Sequence, residues 1–169
     1  MPNRLEMVVG GLRQAALPNA PEFISRTPPA DGFFMERQRL GPFELPDHWI
    51  PFYGVGLELA PGKRFYYQDG KYRGSSFQAG DFLVLAPQEL RRFRGEFDGT
   101  LVLVSIEPVV LQHMVAGSPA SNPFELTRTS EGPDPMLTDL VLRLQAEVKA
   151  DYPAGHPLSE AICTRLAEG

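Results

Sequence analysis

A mainly β chain with C-terminal helices, an antiparallel β-barrel of jelly-roll type followed by two or three α-helices, is predicted for these 169 residues by three observations. Seventeen prolines and sixteen glycines interrupt the chain too often for long helices over its first two-thirds. Two Asp-Gly pairs, Asp69-Gly70 and Asp98-Gly99, each stand between strand-like runs, and Asp-Gly tolerates the positive φ of the tight turns that join antiparallel strands. After Pro108 the texture changes, and apolar residues recur at helical spacing.

The elements follow in order. Residues 1–20 are weakly patterned, end in Leu17-Pro18-Asn19-Ala20, and are expected to form a flexible N-terminal arm. The barrel is placed at 21–107 and a helical region at 108–169. Phe33 to Leu40 reads as the first clear strand, stopped by Gly41-Pro42. Val55, Leu57 and Leu59 alternate with Gly54, Gly56 and Glu58, the period of a strand with one crowded and one tight face. Lys63–Gln68 and Lys71–Phe77 flank Asp69-Gly70 as a β-hairpin. Gly80-Asp81 leads into Phe82-Leu83-Val84-Leu85-Ala86, apolar on both faces and so expected to be covered on both, and Pro87 ends it. Leu90 to Phe97, with Arg91, Phe93 and Gly95 on one side and Arg92 and Arg94 on the other, is expected to form a second hairpin through Asp98-Gly99 with the strand Thr100 to Ile106. Val109 to Met114 suggests a short helix. Asp134 can cap a longer one with Pro135 at its first position, and a third starts at Pro157 with Leu158, Ile162 and Leu166 on one stripe.

Composition removes several function classes. A 43% hydrophobic content supports one core without cross-links, and apolar runs such as Leu101 to Val104 are far too short to span a bilayer. Met1-Pro2-Asn3-Arg4 opens no signal-peptide core, so a cytoplasmic location is predicted. A net charge of -5 argues against these residues gripping DNA phosphates themselves. The single cysteine, Cys163, reads as a buried structural thiol.

The Gly-Asp step before a buried strand and a proline is what a cupin-like barrel shows, so metal ligands are sought first. Such a site needs paired imidazoles one residue apart, a carboxylate, and a third imidazole from a later hairpin. His48 stands alone with Ile50 where a partner would be, Arg91 and Arg92 occupy the later position, and His113 and His156 fall in helical or loop segments. Neither a Gly-x-Ser-x-Gly elbow nor a glycine-rich phosphate loop is present. No catalytic residue, metal or cofactor is therefore expected.

What remains is a concentration of cations and aromatics. Lys63, Arg64, Lys71, Arg73, Arg91, Arg92 and Arg94 lie close in sequence, with Trp49, Tyr53, Phe65, Tyr66, Tyr67, Tyr72 and Phe93 nearby. Most such arginines keep strand edges soluble. The sharper alternative is that one or two point inward and orient a small anionic or aromatic ligand, since a guanidinium binds carboxylate bidentately. The candidate ligand contacts are His48, Trp49, Tyr53, Tyr66, Arg73, Arg91 and Phe93. Leu137, Leu140, Val141, Leu144 and Val148 form a helical stripe that is either core or a dimer seam, and they are the candidate dimerisation positions.

Leu-Pro-Asp-His-Trp before a strand, Tyr-Gln-Asp-Gly-Lys in a hairpin, Gln-Ala-Gly-Asp-Phe-Leu-Val-Leu-Ala-Pro, a short helix after the barrel, and Pro-Leu-Ser-Glu-Ala-Ile-Cys-Thr-Arg-Leu occur in that order between about Leu45 and Leu166. This order resembles the N-terminal, cupin-like effector-binding domain of AraC/XylS-family transcription regulators. The resemblance implies a small-molecule effector in the barrel, a homodimer through the helices after it, and control of a helix-turn-helix DNA-binding domain absent from these residues. It also makes missing metal histidines ordinary. The alternatives are a stand-alone metal-dependent cupin enzyme, an isomerase or dioxygenase, and a dimerisation module with a filled barrel.

Overall fold

The computed structural model describes residues 5–17, 19, 21, 23–24, 33–115, 130–150, 161–162 and 164–166. The chain opens with an antiparallel hairpin, β1 (Glu6–Val9) and β2 (Leu12–Ala15), and a short β3 (Phe23–Ile24). Eight strands then build two sheets: β4 (Phe33–Leu40), β5 (Phe43–His48), β6 (Tyr53–Glu58), β7 (Gly62–Gln68), β8 (Lys71–Phe77), β9 (Asp81–Leu85), β10 (Arg91–Glu96) and β11 (Gly99–Ile106). β12 (Ser130–Pro133) follows the helix α1 (Pro108–Val115) and precedes α2 (Pro135–Lys149). One sheet runs β12-β9-β6-β11-β4-β3 and the other β5-β10-β7-β8. Without its edge strands β3 and β12, the first sheet places the first and last of the eight, β4 and β11, side by side. This is the predicted jelly roll.

Alternation sorts the six-stranded sheet into two buried faces. On β11, Val102, Val104 and Ile106 join an outer cluster while Leu101 and Leu103 face the second sheet. On β6, Tyr53, Val55 and Leu57 go outward, leaving Gly54, Gly56 and Glu58 inward. The outer cluster is closed by Leu137, Val141, Leu144 and Val148 of α2, by Leu111 of α1, and by Ile162 and Leu166 in the last described helical residues. Each such fully buried aliphatic side chain contributes roughly 1.5–3 kcal/mol of transfer free energy. Asp134 caps α2 as expected, its Oδ1 accepting from the Met136 and Leu137 amides at 3.0 Å each.

The tight turn at Asp69-Gly70 has φ of 52° and 79° at its two residues, as a type I′ hairpin between β7 and β8 requires. Three expectations are corrected. Asp98-Gly99 joins no hairpin: β10 pairs with β5 and β7, and β11 with β4 and β6, so the chain crosses between sheets there. Its glycine serves close approach, since a Cβ on Gly99 would lie 2.5 Å from that of Ala60. In place of a flexible arm, residues 5–17 form the β1–β2 hairpin, turned at Gly10-Gly11 with φ of 55° and 84°. Leu5, Met7, Val8, Ala16 and Leu17 are buried, and Val8 exchanges backbone hydrogen bonds with Trp49. Finally, the candidate dimerisation stripe is internal: Leu137, Val141, Leu144 and Val148 are buried, and Leu140 is half-buried against the same cluster. The large apolar residues that α2 exposes are Met136 and Leu142. Leu158, Cys163 and His156 lie outside the described residues.

Leu144→Ala should therefore cost about 2–5 kcal/mol in denaturant unfolding. The size of the loss should be the same at low and high protein concentration; a loss that changes with concentration would return the stripe to a subunit interface.

Candidate ligand-binding cavity

Between the two sheets lies a cavity of about 80 Å³. One ordered water needs roughly 10–15 Å³ on this measure, so the space takes several waters or a compact organic molecule. One wall comes from the larger sheet: Gly56 and Glu58 of β6, Leu83 and Leu85 of β9, and Leu101 and Leu103 of β11. Gly56 creates room here, since a Cβ would lie 3.3 Å from Leu101 Cδ1. The opposite wall is Phe43, Leu45 and His48 of β5, Tyr66 of β7, and Arg91 and Phe93 of β10. Met7, Ala16 and Leu17, from β1 and the residues after β2, close one side.

Leu45 and His48 share the inner wall although three residues apart, which strict alternation forbids. A β-bulge explains it: Arg91 pairs with His48 and Phe93 with Leu45, so Pro46 and Asp47 together oppose Arg92. Pro46 is tolerated because β5 is an edge strand. The Nδ1 of His48 donates to the Pro46 carbonyl at 2.8 Å, which leaves Nε2 as the acceptor of a neutral ring. Burial holds its pKa below the usual histidine value, and the Arg91 charge pushes the same way.

Two arginines are inside the sandwich. Arg91 is 8% exposed, and its Nη2 donates to the Ala86 carbonyl and, at 3.0 Å, to Glu89. Its Nε and Nη1 make no hydrogen bond. Burial lowers its pKa and Glu89 partly offsets this, yet a guanidinium keeps its charge at any ordinary pH. Arg64, 1% exposed, stacks on Phe77 with 4.3 Å to the ring centroid. It ion-pairs at 3.6 Å with both Glu58 and Glu131, the latter from β12. Burial raises the Glu58 carboxyl to about 7 against the pull of Arg64, with Asp81 adding to the rise. Burial likewise lifts the Tyr66 phenol to about 12, against the pull of the Arg64 and Arg91 guanidiniums.

Of the seven candidate contacts, His48, Tyr66, Arg91 and Phe93 line the cavity. Three do not. Tyr53 faces outward into the helix-covered cluster, by the same alternation that turns Gly54 and Gly56 inward. Trp49 supplies its backbone to Val8 and is not a lining residue. Arg73 pairs opposite Tyr66 in the register, but on edge strand β8 beside the turn its side chain is 55% exposed and paired with Asp69 at 3.0 Å. Arg92 and Arg94 lie on the outer face, over Tyr67 and over Phe65 and Tyr72. Glu58 and Arg64 were not singled out as site residues from sequence. The available signal for Glu58 was its place on the glycine face of β6.

No group of three or more His, Cys, Asp or Glu that could hold a metal ion occurs among the described residues. Two unengaged guanidinium nitrogens beside apolar and aromatic walls suit a carboxylate attached to an apolar body.

Glu58 keeps its proton in the folded state where the unfolded chain has lost it. Its stabilising contribution is therefore complete below about pH 4.5 and is lost as the pH rises through about 7, an effect of about 3 kcal/mol. Glu58→Gln should flatten the fall in unfolding free energy between pH 5 and 8 relative to the parent chain; parallel pH profiles would exclude this assignment.

No protein-family model matches the chain, and no curated protein matches it. Solved structures do. The chain is similar to apo ToxT K231A from Vibrio cholerae strain SCE256, with a TM-score of 0.57 at 9% identity, over 81% of this chain and 54% of that one. It is similar to ToxT from Vibrio cholerae O395 bound to (E)-4-(8-methylnaphthalen-1-yl)but-3-enoic acid, with a TM-score of 0.56 at 9% identity and the same coverage of each chain. A looser likeness, TM-score 0.43 at 15% identity over 82% of this chain and 48% of that one, is to the AraC-like transcriptional activator CuxR. The chain thus spans about half the length of the ToxT chains. At these identities the ToxT likeness establishes a shared fold.

Proposed function

We propose that this chain is the non-catalytic ligand-sensing domain of an AraC-type transcription regulator, and that its effector is a small carboxylate with an apolar body held between the two sheets. The observation that carries this reading is Arg91, buried in an apolar cavity wall with Nε and Nη1 unengaged. A buried cation without full hydrogen bonding costs several kcal/mol, and a carboxylate bonded to both nitrogens offsets that cost. The ordered motifs from Leu45 to Leu166 support the regulatory assignment, as does a fold shared with ToxT, one structure of which holds a carboxylic acid.

In this reading the domain works in the cytoplasm as a homodimer and acts on DNA through a helix-turn-helix segment outside these residues. Met136 and Leu142 are the exposed apolar residues that α2 offers to a second copy. The effector acts by binding one of two conformations more tightly, which is all that sensing requires.

The test is titration of the purified chain with straight-chain carboxylates from butanoate to octanoate, followed by calorimetry and thermal unfolding. At least one should raise the melting temperature. Arg91→Ala should weaken its binding by roughly tenfold to a hundredfold. Arg73→Ala should leave the affinity unchanged. No shift with any acid, or equal binding by Arg91→Ala, would refute the reading.

A further inference from the structure

Arg91 has a titratable neighbour on the same cavity wall. His48 of β5 is its partner in the β5–β10 register, and both residues line the cavity. Directly opposed residues on antiparallel strands have Cβ atoms roughly 4.5–5.5 Å apart, so a group held by the Arg91 guanidinium lies within reach of the imidazole. His48 is itself 5% exposed. The Pro46 carbonyl can only accept, so Nδ1 carries the proton of that hydrogen bond and Nε2 is the nitrogen left for a ligand.

In the neutral ring Nε2 offers a lone pair, and so does a carboxylate oxygen; the two repel until a proton stands between them. Without a ligand, burial and the Arg91 charge both disfavour the imidazolium, in keeping with its lowered pKa. A carboxylate on Arg91 reverses the second cause, because it offsets the guanidinium and sets a negative charge beside the ring. The other charged and titratable groups around the cavity are engaged elsewhere. Asp47, on β5 itself, is held on the outer face by Arg92 through both carboxylate oxygens. Glu89 is paired with Arg91, and Glu36 of β4 lies outside the lining and accepts from the Leu5 amide and the Gln38 side chain. Glu58 and Tyr66 share the lining, but Glu58 is tied to Arg64, and the Tyr66 phenol, at about 12, keeps its proton.

We infer that His48 is a second contact for the effector's carboxylate and makes that contact as an imidazolium, so that each carboxylate bound at Arg91 draws a proton from solvent onto Nε2. It rests on the carboxylate reading of Arg91 and adds a pH dependence to the same site. Lower pH supplies the proton, so affinity rises as the pH falls through the range in which the occupied site is protonated and the empty one is not.

The probe is whichever straight-chain acid from butanoate to octanoate binds the parent chain most tightly, titrated by calorimetry at about pH 6.5 in PIPES and in Bis-Tris, buffers of different ionisation enthalpy. The difference in heat should correspond to uptake of roughly half to one proton per acid bound, and affinity should rise roughly threefold to tenfold for each pH unit lowered from about 7.5 to 6. His48→Asn, which keeps a donor for the Pro46 carbonyl and loses Nε2, should abolish both effects and leave the affinity at about pH 8 within a few fold of the parent. Glu58→Gln should leave the uptake in place. In the parent chain the His48 ring should titrate by NMR at a pH higher by about one unit or more with the acid bound than without, a reading that needs no variant. Binding without proton uptake, an unmoved His48 titration, or an uptake that survives His48→Asn or is lost in Glu58→Gln overturns this inference and leaves the Arg91 reading standing. Binding by none of the acids overturns both.

Discussion

The six-stranded sheet is buried on both faces, and the rest of the molecule is arranged around that constraint. One face needs helices and the other needs a second sheet, so every strand has to divide its side chains between two environments with a period of two. β6 shows the division most sharply. Tyr53, Val55 and Leu57 fill the helix side, while Gly54, Gly56 and Glu58 turn to the interior. Large residues on the first set hold α2 against the sheet, and small ones on the second leave the sandwich incompletely filled. The cavity is thus a consequence of strand composition and needs no separate device.

Into that space the smaller sheet sends charge. Arg64 and Arg91 have the parity of Tyr66 and Phe93, so both are carried inward by the alternation that puts Arg92 and Arg94 in solvent-facing cation–π contacts. Their environments then diverge. Arg64 has Glu58, Glu131 and the Phe77 ring beside it and lies outside the cavity lining, although none of its three side-chain nitrogens makes a hydrogen bond. Arg91 has Glu89 and one carbonyl, with two nitrogens unspent. Buried charge of this kind is weak evidence for stability, because desolvation can exceed the Coulombic gain. Under the proposed function a ligand carboxylate offsets that cost, and the apolar and aromatic walls around Arg91 take the rest of the ligand.

The N-terminal hairpin ties the cavity to the start of the chain. Met7, Ala16 and Leu17 contribute to the lining, Val8 is bonded to Trp49, and the Leu5 amide donates to buried Glu36 at 2.6 Å. Gly10-Gly11 between the apolar run Met7-Val8-Val9 and Leu12 is a hairpin signal of the same kind as Asp69-Gly70, and it was available in the sequence. The weak alternation of the Leu12–Ala15 strand, with three of its four residues exposed, obscured it.

Local chemistry was legible wherever a single turn or period decides the outcome. Asp69-Gly70, the Asp134 cap, the α2 stripe and the two-faced β6 follow from backbone sterics and spacing, which residues a few positions apart determine between them. Pairing was not legible, because it depends on segments far apart in the chain. Asp98-Gly99 looks like a hairpin and is a crossing between sheets, and the α2 stripe looks equally like core or seam until the sheet beneath it is in place. The site divided the same way. His48, Tyr66, Arg91 and Phe93 could be named from residue type, but only the bulge in β5 turns His48 inward, and only sheet-on-sheet packing brings Glu58 and Arg64 together from different sheets. Sequence determines which face of a strand a side chain takes; what that face meets is decided by long-range packing, because the partner surface is built from other strands.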